Sequence, residues 1–209
     1  MQKPNNYENI QLGTALTAGK HRCVIKKAEE TVSKTGLEML IVYFDTAFDD
    51  MQPKYYENGY ERRVKNNPDA EKWCRKWVIT DSTTDYGDKN LKKLNNAVLL
   101  SNGLVDENGD PDQAKIKWGD LYCEWLKDKR VGVIFGEEEY IRSDHQLGCS
   151  VKPSFFCSYP KEEELGKDAP ARKTLPEEKP SLRQTYEQTA QEDFMQIPDD
   201  LNDEGLPFH

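Results

Sequence analysis

Lys20-His-Arg-Cys-Val-Ile-Lys-Lys-Ala-Glu-Glu-Thr-Val-Ser-Lys-Thr-Gly-Leu-Glu-Met-Leu-Ile-Val-Tyr-Phe-Asp45 is the stretch that decides the fold, because it predicts a long β-hairpin. Its first half mixes charged and apolar side chains in the two-residue period of a strand. Its second half, from Leu37 to Phe48, is β-branched or aromatic almost throughout, as buried strands are. Between them, Ser33-Lys-Thr-Gly36 predicts a turn in which Gly36 is free to adopt a positive φ.

Outside the hairpin, the pattern predicts one more strand, then helices, then two further strands. Residues 1–14 form an irregular lead, and the polar stretch 49–72 is predicted as a loop with room for one short element. Asp88 is a plausible helix N-cap, since Leu91, Leu94, Val98 and Leu99 follow at helical spacing and Gly103 supplies a stop. The remaining predicted elements are strands at 73–80, 130–136 and 148–159 and a short helix at 118–126.

Three strands, a helix and two strands are the element order of an OB-fold, a small five-stranded Greek-key barrel that suits oligonucleotides. We therefore predict a mainly β fold, with an OB-fold body at residues 15–160 and a helix between strands 3 and 4. Beyond Tyr159, proline and charge dominate and periodicity is lost. Residues 161–209 are accordingly predicted as a linker and a disordered acidic tail.

The charge of the chain is concentrated in that tail. The net charge is −9, and residues 161–209 hold thirteen Asp or Glu against six Lys or Arg. This leaves 25 acidic and 23 basic residues in the first 160, so the body is close to neutral. An acidic isoelectric point normally argues against nucleic-acid binding, but here it does not exclude a local basic surface.

Cations interleaved with aromatic residues suggest such a surface. Alternation places Lys20, Arg22 and Lys26 on one face of the first strand, and Trp73, Arg75 and Trp77 on one face of the third. Rings that stack on bases and cations that neutralise phosphates are what sequence-independent single-strand binding requires. The same pattern also fits a half-solvated strand and a tryptophan in the core. The predicted DNA-binding residues are Lys20, Arg22, Lys26, Arg62, Arg63, Trp73, Arg75 and Trp77.

The motifs of metal sites and enzymes are weak or missing. Residues 106–112 space oxygen ligands like a calcium loop, but the glycine is misplaced and Lys117 stands where a bidentate glutamate is needed. The five cysteines contain no CxxC pair, so we expect reduced thiols, no metal and no cofactor. The N-terminus is polar, and no apolar run approaches the roughly 20 residues of a membrane span. We therefore predict a cytoplasmic binding protein rather than an enzyme.

The hairpin is similar to the opening of a family of small phage and prophage proteins. Its members share a Gly-x-(His/Tyr) strand, then Ala-Glu, Ser-x-x-Gly and a Met-Leu-x-Val-x-Phe-Asp strand. These marks fall here on Gly19, His21, Ala28-Glu29, Ser33, Gly36, Met39-Leu40, Val42 and Phe44-Asp45. The resemblance implies single-stranded-DNA binding in phage replication or recombination.

The C-terminus resembles a different feature, the acidic tip of bacterial and phage single-stranded-DNA-binding proteins. Its last eighteen residues hold six carboxylates and no Lys or Arg, and they end in Leu-Pro-Phe followed by His209. The resemblance implies docking of replication or recombination proteins, although in those tips the phenylalanine is the terminal residue. The predicted docking residues are Asp199, Asp200, Asp203, Glu204, Leu206, Pro207 and Phe208.

Two rival functions stay open on the sequence alone. One is a protein-interaction adaptor, such as a phage inhibitor of a host protein, whose body never contacts DNA. The other is an enzyme, for instance a nuclease with an unrecognised acidic site. The sequence also leaves open whether the chain forms homo-oligomers.

Overall fold

The computed structural model describes residues 15–142 and 146–175 of the chain. Within these ranges the strands are β1 (Gly19–Val32), β2 (Glu38–Thr46), β3 (Cys74–Ile79), β4 (Arg130–Ile141) and β5 (Leu147–Cys157). The α-helices are α1 (Tyr55–Asn58), α2 (Tyr60–Asn66), α3 (Gly87–Ser101) and α4 (Tyr122–Leu126). All five strands pair antiparallel in one sheet, in the order β3-β2-β1-β4-β5. The prediction of a mainly β chain with five strands and a helix between the third and fourth is confirmed.

The long strand β1 joins the two halves of the sheet. Its first six residues pair with β4, and residues 23–32 pair with β2. The register with β2 shifts between Ile25 and Lys27, so Lys26 is an extra residue without a partner on β2. Such a bulge bends a strand and increases its twist. β1 can therefore continue its ladder with β2 after leaving β4, and the sheet curls around one face.

The curled face of the sheet encloses the core. Ile25, Phe44 and Phe135 are fully buried there, and Phe44 makes edge-to-face contacts with Phe135 and Phe156 at centroid distances of 6.2 and 5.9 Å. Such aromatic pairs add about 0.5–1.5 kcal/mol to the burial of their area. Because Phe156 belongs to β5 and Phe44 to β2, these rings join the two halves of the sheet through the core.

Helix α3 covers one side of this core. Leu94, Val98 and Leu99 are fully buried, as their helical spacing predicted, and the helix contacts β3, β4 and β5. The prediction that Asp88 is the N-cap is wrong, because the cap is Tyr86 and Asp88 lies in the first turn. Gly87 explains the difference. A Cβ at this position would lie 1.9 Å from the Asp81 carbonyl oxygen, so the chain passes too close to itself for any residue but glycine.

The stretch 49–72 contains two short helices rather than the single element that its composition allowed. The buried Asp45 carboxylate at the end of β2 holds the first of them. It accepts hydrogen bonds from the backbone N–H groups of Thr46, Tyr56 and Glu57, at 2.8, 2.9 and 2.9 Å. Burial raises the pKa of Asp45, while these three donors favour its charged form. The core strand therefore positions α1 directly.

A second buried carboxylate ties the start of β1 to the loop after β2. Asp50 accepts hydrogen bonds from the His21 ring at 2.9 Å, from the Arg22 backbone N–H at 2.7 Å and from the Gln52 backbone N–H at 2.9 Å. The His21 and Asp50 side chains are both completely buried. His21 also packs edge-on against Phe135 at 5.3 Å, so a polar network closes this end of the core.

Residues 159–174, which we call the covering segment, continue the packed body beyond the boundary expected at residue 160. Two backbone hydrogen bonds join this segment to β1. The Lys20 N–H donates to the Lys167 carbonyl oxygen, and the Gly166 N–H donates to the Lys20 carbonyl oxygen, each at 2.9 Å. Further along, Lys173 pairs with the edge of β4 beside Glu138. The compact unit that contains the sheet extends to Thr174. None of the helices within the described ranges has the length and apolar character that crossing a bilayer requires.

Gly19 is the point where the covering segment crosses β1, and replacing it with alanine should detach that segment. Gly19 has a φ of +115°, and a Cβ there would lie 2.4 Å from the Gly166 carbonyl carbon. Strain and overpacking together should cost about 2–5 kcal/mol of unfolding free energy. Urea unfolding followed by circular dichroism measures this loss, and limited trypsin digestion should cut more readily after Lys161 and Lys167.

Gly36→Ala is the matched control for that experiment. Gly36 also has a positive φ, +85°, but no heavy atom lies within 4 Å of the position of a Cβ. Only backbone strain of about 1–2 kcal/mol is expected, and digestion within the covering segment should be unchanged. Equal losses of stability in the two variants would show that the contact with Gly166 contributes nothing.

Candidate functional site

The structure brings a set of cations and aromatic rings together on the outer face of β1, β2 and β3. Tyr43 of β2 lies opposite Lys27 of β1 on one side and Arg75 of β3 on the other, while Trp77 is the cross-strand partner of Ile41. Residues that are directly opposite share a face of a sheet, so these side chains point away from the core. We call Lys27, Tyr43, Arg75 and Trp77 the cation–aromatic strip.

Each cation of the strip lies against a ring. The Lys27 ammonium is 5.4 Å from the centroid of Tyr43, and the Arg75 guanidinium carbon is 5.7 Å from the centroid of Trp77. Tyr43 is nearly buried under its neighbours, whereas Trp77 exposes 47% of its surface. Nearly half of the Trp77 surface is therefore open to solvent, and two cations of the strip lie on the same outer face of the sheet.

Both cations are also paired with carboxylates. Lys27 contacts Glu29, and Arg75 Nη1 lies 3.1 Å from Glu71 Oε1. The hydrogen bond from Lys27 lowers the pKa of Glu29, and the same contact raises the pKa of Lys27. Burial, together with the adjacent Glu29, raises the pKa of Tyr43. The two positive charges of the strip are thus balanced by the neighbouring carboxylates of Glu29 and Glu71.

Two of the predicted DNA-binding residues on β1 are engaged by other parts of the body. The Lys20 ammonium lies 2.7 Å from Asp168 of the covering segment, and only 20% of its side chain is exposed. Arg22 donates to the Pro160 and Asp49 carbonyl oxygens, both at 2.9 Å. The alternation that placed these cations on an outer face is observed, but that face of β1 is covered by a segment 138 residues away in sequence.

Four other predicted residues lie outside the strip. Arg62 is exposed on α2, Lys26 is the half-buried residue of the β1 bulge, and Trp73 precedes β3 with Lys72 5.6 Å from its ring. Arg63 has a structural position, since its Nη2 donates to the carbonyl oxygens of Tyr56, Glu71 and Lys72 at 2.8, 3.2 and 3.1 Å. Of the predicted set, the strip contains Arg75 and Trp77.

Sequence reasoning missed Lys27 and Tyr43. Counting in twos from Cys23 and Ile25 places Lys27 on the inner face, whereas the bulge at Lys26 turns it outward. The signal was the pair Lys26-Lys27, since two adjacent cations cannot both avoid the core in an unbulged strand. Tyr43 lies in a run of residues that is apolar at successive positions, so alternation could not predict which face of the sheet its side chain occupies.

The predicted docking residues of the tail lie outside the described residues, as does the predicted irregular lead at 1–14. This applies to Asp199, Asp200, Asp203, Glu204, Leu206, Pro207 and Phe208. In the described part of the chain, no three His, Cys, Asp or Glu side chains are grouped as metal ligands. His21 hydrogen-bonds Asp50 in the core. Burial raises the pKa of the Cys74 and Cys157 thiols to about 11 each, so both are protonated near neutral pH.

No protein-family model matches the chain, and no curated protein matches it.

The adjacent arginines of α2 provide a test of which cations are structural. Arg63→Met removes the donor to three backbone carbonyl oxygens and should lower the unfolding free energy by about 2–4 kcal/mol. Arg62→Met, at an exposed position one residue earlier, should change it by less than about 0.5 kcal/mol. Chemical denaturation of both variants measures the difference, and equal stabilities would contradict a structural role for Arg63.

Proposed function

We propose that this protein binds single-stranded DNA without sequence preference, through the cation–aromatic strip of an OB-fold body. The observation that carries the proposal is the exposed Trp77 ring beside Arg75, on the outer face of the second and third strands. In OB-folds, this face of strands 2 and 3 is the one that binds oligonucleotides.

The sheet order supports the OB-fold part of this proposal. β3 and β5 are the two edges of the open sheet, and both run parallel to β1 because each is antiparallel to a neighbour of β1 in the sheet. The edges approach each other, since the Lys76 ammonium on β3 lies 3.4 Å from the Pro153 carbonyl oxygen on β5. Joining them gives the cyclic order 1-2-3-5-4 of a five-stranded barrel, and α3 contacts both edges as well as β4.

The chemistry of the strip suits a flexible single strand better than a duplex. A base stacked on Trp77 gains about 1–3 kcal/mol whatever its identity, because every base has a π-face. Lys27 and Arg75 can then neutralise backbone phosphates, which makes the affinity fall with salt. Reading a duplex instead requires an element that enters a groove, whereas the strip lies on the face of a sheet.

The acidic tail completes the proposed function. Its carboxylates and its Leu206-Pro207-Phe208 group would recruit replication or recombination proteins to DNA held by the body. Phage replication or recombination in a bacterial cytoplasm is the setting that the resemblance of the hairpin implies. No catalytic step is part of this proposal.

A protein-interaction adaptor is the second candidate, and a specific observation favours it. Trp118 and Leu121 expose 54% and 60% of their surfaces close together in the chain, and Trp118 stacks on the buried Tyr122 at a centroid distance of 5.3 Å. Exposed apolar side chains held by a rigid support are common at protein interfaces. This surface contains none of the residues of the strip.

Fluorescence anisotropy of labelled oligo-dT tests the proposed function. The full chain should bind the single strand at low salt, bind the matching duplex more weakly and lose affinity as salt increases. Trp77→Ala should weaken binding about 5- to 150-fold, as expected from the loss of about 1–3 kcal/mol of stacking. Trp118→Ala removes an equally exposed tryptophan outside the strip and should leave the affinity within about twofold.

The same titration separates the rival functions. An absence of binding at low salt, by a protein whose circular dichroism shows it folded, would contradict DNA binding and favour the adaptor. Loss of the oligonucleotide only when a divalent metal is added would indicate a nuclease. Equal weakening by Trp77→Ala and Trp118→Ala would contradict the location of the site on the strip.

A further inference from the structure

The carboxylates of Glu29 and Glu71 occupy the cations that the strip would use to hold phosphates. Lys27 contacts Glu29, and Arg75 lies 3.1 Å from Glu71. The charge of Glu71 also acts on Lys27 and on Tyr43, so the two carboxylates influence the whole strip. A phosphate that approaches either cation therefore meets an anion that is already bound there.

These two ion pairs are unlike those that hold the covering segment in place. The four side chains of the strip's pairs are between 40% and 51% exposed, and each glutamate lies on or beside the same strand as its cation. Exposed pairs of this kind contribute about 0–1 kcal/mol to stability. By contrast, the Lys20 side chain is 20% exposed and pairs with Asp168 of the covering segment, and the Arg22 side chain is 17% exposed and donates a hydrogen bond to the Pro160 carbonyl oxygen of that segment. The strip's pairs are therefore easily exchanged without loss of the fold.

We propose that Glu29 and Glu71 set the affinity of the strip, by holding Lys27 and Arg75 until DNA phosphates displace them. This inference rests on the proposed single-strand binding and adds how the affinity of that binding is set. Two opposing effects follow from it. The glutamates keep both cations extended over Tyr43 and Trp77 in the free protein, and they repel phosphates. The protein therefore binds a strand weakly enough to release it, although its rings and cations are suitably placed.

Replacing each glutamate by glutamine tests this control directly. Glu29→Gln and Glu71→Gln keep the size of the side chain and remove its charge, so each should tighten oligo-dT binding about two- to tenfold. The double variant should tighten it more than either single variant, although not by the full product of the two effects, because Glu29 and Glu71 both act on Lys27. Because screening weakens the removed repulsion, the advantage over the unaltered chain should shrink between about 0.05 and 0.3 M NaCl.

Glu138→Gln is the matched control. Glu138 pairs with Lys152 at 2.9 Å on the hairpin of β4 and β5, with a similar exposure, and the hydrogen bond from Lys152 lowers its pKa as Lys27 does for Glu29. The Glu138→Gln substitution removes the same unit of negative charge outside the strip, so the affinity for oligo-dT should stay within about twofold of that of the unaltered chain. Circular dichroism and thermal melting of all variants verify that the fold is retained.

The outcomes distinguish this inference from the proposed function. If the unaltered chain does not bind oligo-dT, the proposed function fails. If it binds, and Trp77→Ala weakens that binding, while the glutamine variants bind no more tightly, the proposed function stands and this inference is overturned. Equal tightening by Glu138→Gln would also overturn it, because net charge alone would then explain the effect. Tightening by Glu29→Gln and Glu71→Gln that declines with salt, without change in Glu138→Gln, supports it.

Discussion

The structure depends on one strand that forms two ladders. β1 pairs with β4 over residues 19–24 and with β2 over residues 23–32, and the bulge at Lys26 bends it within the β2 ladder, just past the end of the β4 ladder. Without this bend, the apolar faces of the two halves of the sheet could not enclose Phe44, Phe135 and Phe156 in one core. The bulge also moves Lys27 to the outer face. The same backbone feature therefore curls the sheet and completes the cation–aromatic strip.

Local pairing of charges explains how a nearly neutral body can carry a candidate anion-binding surface. The first 160 residues hold 25 acidic and 23 basic side chains. In the structure, many of them form pairs, among them Lys27 with Glu29, Arg75 with Glu71 and Lys152 with Glu138. Net charge therefore describes this surface poorly. For the proposed DNA binding, the exposure of the individual ion pairs matters more than the net charge.

The covering segment divides the cations of the sheet into two groups. It passes over the first half of β1, where it engages Lys20 and Arg22 through Asp168 and the Pro160 carbonyl oxygen. On the outer face of β3, Arg75 and Trp77 stay half exposed. Tyr159 contributes to this division, because its ring lies 5.5 Å from the Arg22 guanidinium carbon and 5.6 Å from that of Arg130. A C-terminal extension that composition describes as a linker thus decides which cations of β1 are covered.

The amino-acid sequence by itself determined the five strands, the helix between the third and fourth of them and their order. Residue periods of two and 3.6 predicted the five strands and the buried positions of α3, because these periods are local properties of the backbone. Helix starts were less predictable, since the close approach of Gly87 to Asp81 involves residues that periodicity does not connect. Only the tertiary structure decided which cations face solvent. The side chain of Arg22 is covered by a residue 138 positions away, and Lys27 is turned outward by a one-residue change of register. Exposure is a sum over all the elements that pack around a side chain, and alternation within one strand contains no information about the others.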